Sequence, residues 1–208
     1  TVNNLSGVSG SQVNLGAKTL TVNSNSDTTY AGNMSGQGSL VKNGNATLML
    51  QGELNQSGNT QLNAGTLVVD GSLGAGHLNG NVVGQSGTNL VIQNGGRMTG
   101  WIDPTNVTIG SGSTWTMTND SLVDHLANNG TIQFQTMQNG VGKVLTTQGN
   151  VSGSGMLVMN AQLGGSNPAH DLLVINGGQV TGSQGILVNN AGGNGSNATI
   201  RLVQVTNG

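Results

Sequence analysis

The sequence predicts an all-β fold, a solenoid of short parallel strands with roughly ten turns. Apolar tracts separated by Gly and Asn recur at a spacing near twenty residues: Leu48 and Leu67 stand 19 positions apart, and Leu67 and Leu90 stand 23 apart. Such fixed-period similarity is typical of stacked repeats. Glycine supplies 37 of the 208 residues and aromatic residues only 2%, which favours a thin aliphatic core over a thick globule.

The apolar tracts alternate with a period of two residues, which indicates strands. Gly and Asn interrupt the chain before any helix could complete three turns, and a mid-helix Gly costs about 1 kcal/mol relative to Ala. We therefore expect strands along the whole chain. The clearest alternating tracts are Thr19–Val22, Asn89–Gln93, Thr114–Met117 and Thr131–Gln135.

Gly and Asn pairs mark the corners between strands, because both residues tolerate positive φ. Asn-Gly also closes β-hairpins, so an antiparallel meander is the competing fold. Many tracts have only three or four residues and return one full period later, which favours parallel stacking at about 4.8 Å per turn. Inward Asn side chains could stack in ladders at these corners. The predicted corners are Asn43-Gly44, Gly58-Asn59, Asn94-Gly95-Gly96, Asn129-Gly130 and Asn176-Gly177-Gly178.

The second half of the chain differs from the first. Three of the four aromatic residues, Trp101, Trp115 and Phe134, fall within 34 positions. We divide the chain into regular β-helix turns over residues 1–100 and a C-terminal module over 101–208. Because an open solenoid end exposes strand edges, we expect this module to form a reinforced, capped end. Its longer predicted strands are Met156–Asn160, Asp171–Asn176, Ile186–Asn190 and Thr199–Val205.

Composition excludes several classes of function. Only 6% of residues are charged and the net charge is −2, and the five Lys and Arg residues lie far apart, so nucleic acid is not an expected partner. No apolar run approaches the ~20 residues of a membrane-spanning helix. The absence of cysteine suits secretion into an oxidising compartment, and a start without Met or signal peptide suggests a fragment or processed product.

The polar residues do not predict catalysis or metal binding. Glu53 and Asp70 stand 17 positions apart and could meet across one turn, as paired carboxylates must in a glycosidase. The densest polar cluster is Asp120, Asp124 and His125. We interpret the carboxylates as solvated surface or corner residues, and we expect no metal or cofactor, since the histidines lack ligand-like spacing.

Trp101, Trp115 and Phe134 could stack on sugar rings. Each lies in an alternating tract that should bury one face. We therefore favour their burial in the core at the end of the solenoid.

These residues resemble bacterial autotransporter passengers. Gly65–Val69 resembles the passenger-associated strand repeat, and Ile102–Val107 with Gly112–Trp115 resembles the distal stem of AIDA-type self-associating adhesins. The resemblance is close from Trp101 to Gly208 and only stylistic before it. Further segments are similar to that stem or to the pertactin-like C-terminal module: Asn128–Phe134, Gly153–Asn160, Asp171–Gly178 and Leu187–Asn190.

The resemblance implies a right-handed parallel β-helix on the Gram-negative surface, anchored at the outer membrane or released. It implies an autochaperone module that folds first, with a C-terminal β-barrel translocator in the full-length protein. Trp101, Trp115, Phe134, Leu172 and Val174 are the structural candidates for that module.

The predicted function is a non-enzymatic stem that supports adhesion, aggregation or biofilm formation. Its expected partners are a second copy of itself or a host-surface protein or glycan, without membrane insertion of this segment. Two alternatives stay open: a polysaccharide-binding or polysaccharide-cleaving β-helix of the lyase or tailspike type, and a passive stem whose enzymatic domain lies elsewhere.

Overall fold

The computed structural model describes residues 1–136, 141–164, 168–193, 195 and 199–206. These residues contain strands, bridges and turns but no helix. Among them, therefore, no helical segment is long and apolar enough to cross a bilayer.

The described residues form twenty-five short strands. In chain order they are β1 (Gln12–Asn14), β2 (Leu20–Asn23), β3 (Thr28–Tyr30), β4 (Asn33–Gly36), β5 (Leu40–Asn43), β6 (Thr47–Leu50), β7 (Glu53–Gln56), β8 (Thr60–Leu62), β9 (Thr66–Asp70), β10 (His77–Asn79), β11 (Val82–Gly84), β12 (Asn89–Gln93), β13 (Arg97–Gly100), β14 (Ile102–Asp103), β15 (Asn106–Ile109), β16 (Thr114–Met117), β17 (Ser121–Val123), β18 (Leu126–Asn128), β19 (Thr131–Phe134), β20 (Val144–Thr147), β21 (Val151–Ser152), β22 (Met156–Ala161), β23 (Leu172–Asn176), β24 (Gly185–Asn190) and β25 (Val203–Thr206).

Up to β23, every third strand lies on the same face, so the chain winds into a three-sided parallel β-helix. The first face is one sheet ordered β1-β4-β7-β10-β13-β16-β19-β22-β24, and the third is β3-β6-β9-β12-β15-β18-β21. The second face is broken into β2-β5-β8-β11-β14 and β17-β20-β23-β25. In the described residues, seven turns carry three strands and two further turns carry two, slightly fewer than the roughly ten turns expected.

Parallel pairing confirms the stacked fold against the antiparallel meander. Asn89–Gln93 and Thr114–Met117 are strands with the predicted bounds. The last strand differs, because pairing with β23 begins only at Val203 and not at Thr199.

The core is a set of aliphatic columns that run along the solenoid. Leu48 pairs with Leu67, Leu67 with Leu90, and Leu90 with Val107, and all four side chains are buried. Burial of such a side chain is worth about 1.5–3 kcal/mol. A single turn holds few of them, so stability must be shared along the stack.

Two corner glycines show why larger residues are excluded there. Gly44 adopts φ 76°, and a Cβ added to it would lie 2.3 Å from the Ser24 carbonyl oxygen. A Cβ on Gly130 would lie 2.4 Å from the Ser113 carbonyl oxygen. Both positions need glycine because the turn beneath approaches so closely.

An asparagine ladder forms at one corner, as expected, but its side chains are half-buried and do not point into the core. Asn43 donates its side-chain amide to Asn23 at 3.0 Å, and Asn63 donates to Asn43 at 2.8 Å. Each amide thus bonds the turn beneath it.

The C-terminal end is reinforced by longer strands, since β22 and β24 have six residues each. Within the described residues, however, no layer covers the last turn. Four apolar side chains there stay exposed: Ile186, Leu187, Val203 and Val205.

Candidate functional site

Three aspartates that the sequence placed at the solvated surface or corners are in fact buried. Asp70, Asp124 and Asp171 lie at corners but are 2%, 9% and 0% exposed. The expectation of solvation was wrong for these three, because backbone, amide and hydroxyl donors, most of them from neighbouring turns, replace water around each carboxylate.

Asp70 ends β9 and bonds residues of three successive turns. Its Oδ1 accepts the Ser72 backbone N–H at 3.0 Å, and its Oδ2 accepts the side-chain amides of Gln93 and Asn94 at 2.8 and 2.6 Å. Gln51 from the turn beneath donates to Oδ1 at 3.3 Å. Burial raises the pKa of Asp70, but the hydrogen bonds from Ser72, Gln93 and Asn94 together outweigh it, so the pKa lies well below its usual range.

Asp171 lies just before β23 and bonds residues that precede β20 and a residue near the end of β22. Its Oδ1 accepts the backbone N–H groups of Gly142 and Lys143 at 3.0 and 2.9 Å. Its Oδ2 accepts two bonds from Asn160, whose side-chain amide also donates to the Phe134 carbonyl oxygen at 2.7 Å. Four donors from two other strands' ends thus converge on this one carboxylate, so the arrangement is a structural clamp.

Asp124 and Ser86 are two turns apart, and the Asp124 side chain reaches past the turn between them. Its Oδ2 accepts the Ser86 hydroxyl at 3.0 Å and the Gly87 backbone N–H at 2.9 Å. The neighbouring His125 is exposed, and its Nδ1 accepts the Asn150 backbone N–H at 2.8 Å. Asp120 is exposed and accepts the Val144 backbone N–H at 2.8 Å. The predicted cluster of Asp120, Asp124 and His125 therefore splits into three separate structural contacts.

Lys42 is a cation that sequence reasoning missed. It points inward and is fully buried, and its Nζ donates to the carbonyl oxygens of Gly44 and Ala64 at 2.8 and 3.0 Å. Burial lowers the pKa of Lys42, and the charge of Asp27 opposes this effect. The carbonyl oxygens of one corner thus solvate the ammonium in place of water.

Glu53 and Asp70 do not meet, because they lie on different faces. Glu53 is on β7 of the first face, in register with His77 and Arg97 of the next two turns. Its carboxylate lies 3.3 Å from His77 Nδ1 and 4.0 Å from Arg97 Nη2. The column continues with Thr114 above and contains a single carboxylate in the described turns, whereas canonical glycoside hydrolysis uses two.

The aromatic candidates are divided between core and surface. Trp115 is fully buried and donates its indole N–H to the Gly100 carbonyl oxygen at 2.9 Å, and Phe134 is buried in the adjacent turn. Trp101 is only half-buried, so the prediction of core burial holds for two of the three aromatic residues. Leu172 and Val174 are half-buried on the outer side of β23, while Leu173 and Ile175 point inward.

A groove of about 520 Å³ lies beside Trp101, where the second face is broken. It is lined by Trp101, Asp103, Asn119, Asp120, Ser121, Leu122, Val144 and Thr146. A smaller groove of about 290 Å³ lies beside His125. Among the described residues, no three His, Asp or Glu side chains come together as a metal site would require.

Known proteins resemble the chain along most of its length. It is 33% identical over 150 residues to the autotransporter adhesin/invasin TibA of Escherichia coli O78:H11 (strain H10407 / ETEC). This alignment covers 67% of this chain and 15% of TibA. Residues 121–208 match the family described as Autochaperone Domain Type 1. The chain is part of an autotransporter passenger with an autochaperone module. This confirms the resemblance read from the residues.

The passenger segment is also 27% identical over 187 residues to the uncharacterised protein YuaQ of Escherichia coli (strain K12), an alignment that covers 89% of this chain and 12% of YuaQ. The segment thus spans well under a quarter of the length of either curated relative. No solved structure matches it.

Proposed function

We propose that this passenger segment is a rigid, non-enzymatic stem on the surface of a Gram-negative bacterium. Parallel strands paired from turn to turn make an elongated spacer, and the related TibA is named as an adhesin/invasin. In the full-length protein, a C-terminal β-barrel would carry the passenger through the outer membrane. The stem would then hold an adhesive region away from the cell.

We further propose that the C-terminal module folds first and provides the edge on which earlier turns add. The supporting observation is a set of side-chain hydrogen bonds that bypass a turn. Gln184 Oε1 accepts the Asn128 side-chain amide at 2.8 Å, 56 positions away, and Asp124 reaches Ser86 across 38 positions. Among the described side-chain hydrogen bonds with both partners in residues 1–100, the longest span 24 positions and join adjacent turns.

A side-chain hydrogen bond that bypasses a turn couples three successive turns, whereas the backbone ladder between two strands couples only two. In a stack of repeats, stability is close to a sum of turn and interface contributions, and folding can nucleate at any turn and propagate along the stack. We infer that it begins where neighbouring turns are coupled most strongly. We therefore place the folding nucleus within residues 101–208. Buried Trp115 and Phe134 and the Asp171 clamp lie in the same module and add to its stability.

Pulse-labelling hydrogen exchange during refolding of the whole segment tests this order. The backbone amides of β16, β19, β22 and β23 should become protected before those of β2, β5 and β8. Simultaneous protection, or protection of the N-terminal strands first, would contradict the folding proposal and leave the stem proposal intact.

Self-association, aggregation and biofilm formation through the polar outer faces extend the same proposal. The net charge of −2 offers little electrostatic repulsion between copies. Sedimentation equilibrium over increasing concentration should reveal dimers or larger species. A monomer at every concentration would count against self-association through this segment.

A further inference from the structure

Of the four aromatic residues of this chain, Trp101 is the one that is not buried in the core. The sequence holds two Trp, one Tyr and one Phe, and Tyr30, Trp115 and Phe134 are all buried. Trp101 instead lines the 520 Å³ groove on the outer side of the solenoid. A large apolar ring beside open solvent is a common feature of ligand sites.

The groove arises from an interruption of the second face. Strand β14 has only two residues and is followed by Pro104, which cannot donate to a ladder. Strands β14 and β17 belong to separate sheets, and the Ile102 N–H is satisfied by the Ser121 hydroxyl at 3.2 Å. The groove lies on the outer surface of this irregular part of the face, across β14, β17 and β20.

The backbone that carries the indole is held in place before any ligand arrives. The Trp101 backbone N–H donates to the Asn81 side chain at 3.2 Å, and its carbonyl oxygen accepts the Val82 N–H at 2.9 Å. Within the described residues its indole N–H has no protein partner, so it is free to donate to a ligand. Preorganisation of this kind lowers the entropic cost of binding.

Polar groups line the same groove as the Trp101 ring. Asp103 is held by its backbone in the ladder with β11, and its carboxylate accepts no hydrogen bond from the described residues. One oxygen of Asp120 accepts the Val144 N–H, and the other remains available. Asn119 is exposed beside them and supplies both a donor and an acceptor.

We propose that this groove binds neutral oligosaccharides of the host or bacterial surface. The apolar C–H face of a pyranose ring packs on an indole, while its hydroxyl groups donate to carboxylate and amide oxygens. The lining contains two carboxylates and no Lys or Arg, so sialylated and uronate-bearing chains are repelled. This assigns a ligand class to the adhesive role proposed above, and its biological meaning rests on that role.

Titration of the whole segment with defined sugars tests the site. Suitable probes are cellotetraose, chitotetraose and lacto-N-tetraose, with sialyl-lacto-N-tetraose and a hyaluronan tetrasaccharide as acidic counterparts. At least one neutral probe should bind and protect Trp fluorescence from acrylamide, and the acidic ones should bind at least about tenfold more weakly. Failure of all neutral probes to bind folded protein, or preference for acidic ones, would overturn the proposal.

Substitutions locate the binding. Trp101→Ala should weaken it at least about tenfold because it removes the aromatic surface, while Trp101→Phe should retain most of it and Asp103→Asn should reduce discrimination against acidic sugars. Gln61→Ala is the matched control, because Gln61 is exposed on the same face two turns away. Unchanged binding by a folded Trp101→Ala protein would place the sugar elsewhere and refute the site.

The test is separate from that of the folding role. A Trp101→Ala segment that refolds with the wild-type order of amide protection, yet loses sugar binding, supports the groove independently. If sugars fail to bind while the order of protection stays as predicted, only the groove assignment falls.

Discussion

Asn160 donates both its backbone N–H and its side-chain amide to one carboxylate oxygen of Asp171, at 2.8 and 2.7 Å. The other oxygen of Asp171 accepts two backbone N–H groups of the preceding turn. Four donors thus converge on a carboxylate that has no access to solvent. Such a centre fixes how the last turns of the module lie on one another.

Asp171→Asn should therefore destabilise the segment strongly. The introduced amide places an N–H₂ group against existing donors, and the expected loss is about 3 kcal/mol in the free energy of unfolding. Guanidinium unfolding followed by circular dichroism measures it. Asp27→Asn is the control, since Asp27 is exposed and accepts a single backbone bond from Thr47 at 2.7 Å. Equal effects of the two substitutions would contradict the clamp.

Asp70 should make stability depend on pH in the acid range. Its pKa in the folded state lies below its ordinary value, so its contribution is present above the unfolded pKa of about 3.9 and is lost as pH falls toward the folded pKa. Between pH 7 and pH 3, the advantage of the wild type over Asp70→Asn should shrink by about 1 kcal/mol. Urea unfolding at both pH values checks this. A constant difference between the two proteins would show that Asp70 is not held ionised.

The strands and their parallel stacking could be predicted because alternation and period are local features of the sequence. Asn89–Gln93 alternates cleanly, and its bounds were right. Leu172–Ile175 is apolar at every position, so the pattern could not tell that Leu173 and Ile175 point inward while Leu172 and Val174 point outward. Trp101 follows Gly100 at a corner, where the chain changes direction and the phase of the alternation is lost.

The buried carboxylates could not be recognised from sequence, because most of their donors come from other turns. Asp70 is bonded by Gln93 and Asn94, which are 23 and 24 positions away. Only the register between turns brings these amides to the carboxylate. An isolated Asp beside a Gly has the same local pattern whether water or a neighbouring turn solvates it.

The two tryptophans should respond differently to one and the same substitution. Trp115→Phe leaves the buried Gly100 carbonyl oxygen without its indole donor and opens space in the core, at a cost of about 2–4 kcal/mol. Trp101→Phe removes no bond to the described protein and should cost less than about 1 kcal/mol. Thermal unfolding of the two variants provides the comparison. A larger effect at Trp101 would contradict their assignment to core and surface.

Gln184→Ala should loosen the module without disturbing the N-terminal turns. It removes the partner of the fully buried Asn128 side chain and bonds to the Asn128 and Ser152 carbonyl oxygens at 3.1 and 3.3 Å. The expected loss is about 1–3 kcal/mol. Native-state hydrogen exchange should accelerate in β18, β21 and β22 and stay unchanged in β2 and β5. Gln61→Ala serves as the control and should leave both regions as they are.

The most direct test of the stacked fold is to measure distances between positions that lie a known number of turns apart. The chain has no cysteine, so spin labels can be attached at single introduced cysteines, and Asn33, Thr114 and Met156 lie on one outer column four and six turns apart. At about 4.8 Å per turn, double electron–electron resonance should give a distance near 19 Å for the Asn33–Thr114 pair. The distance for the Asn33–Met156 pair should be about 10 Å longer. Equal distances, or a shorter one for Asn33–Met156, would contradict a chain that winds turn upon turn in parallel.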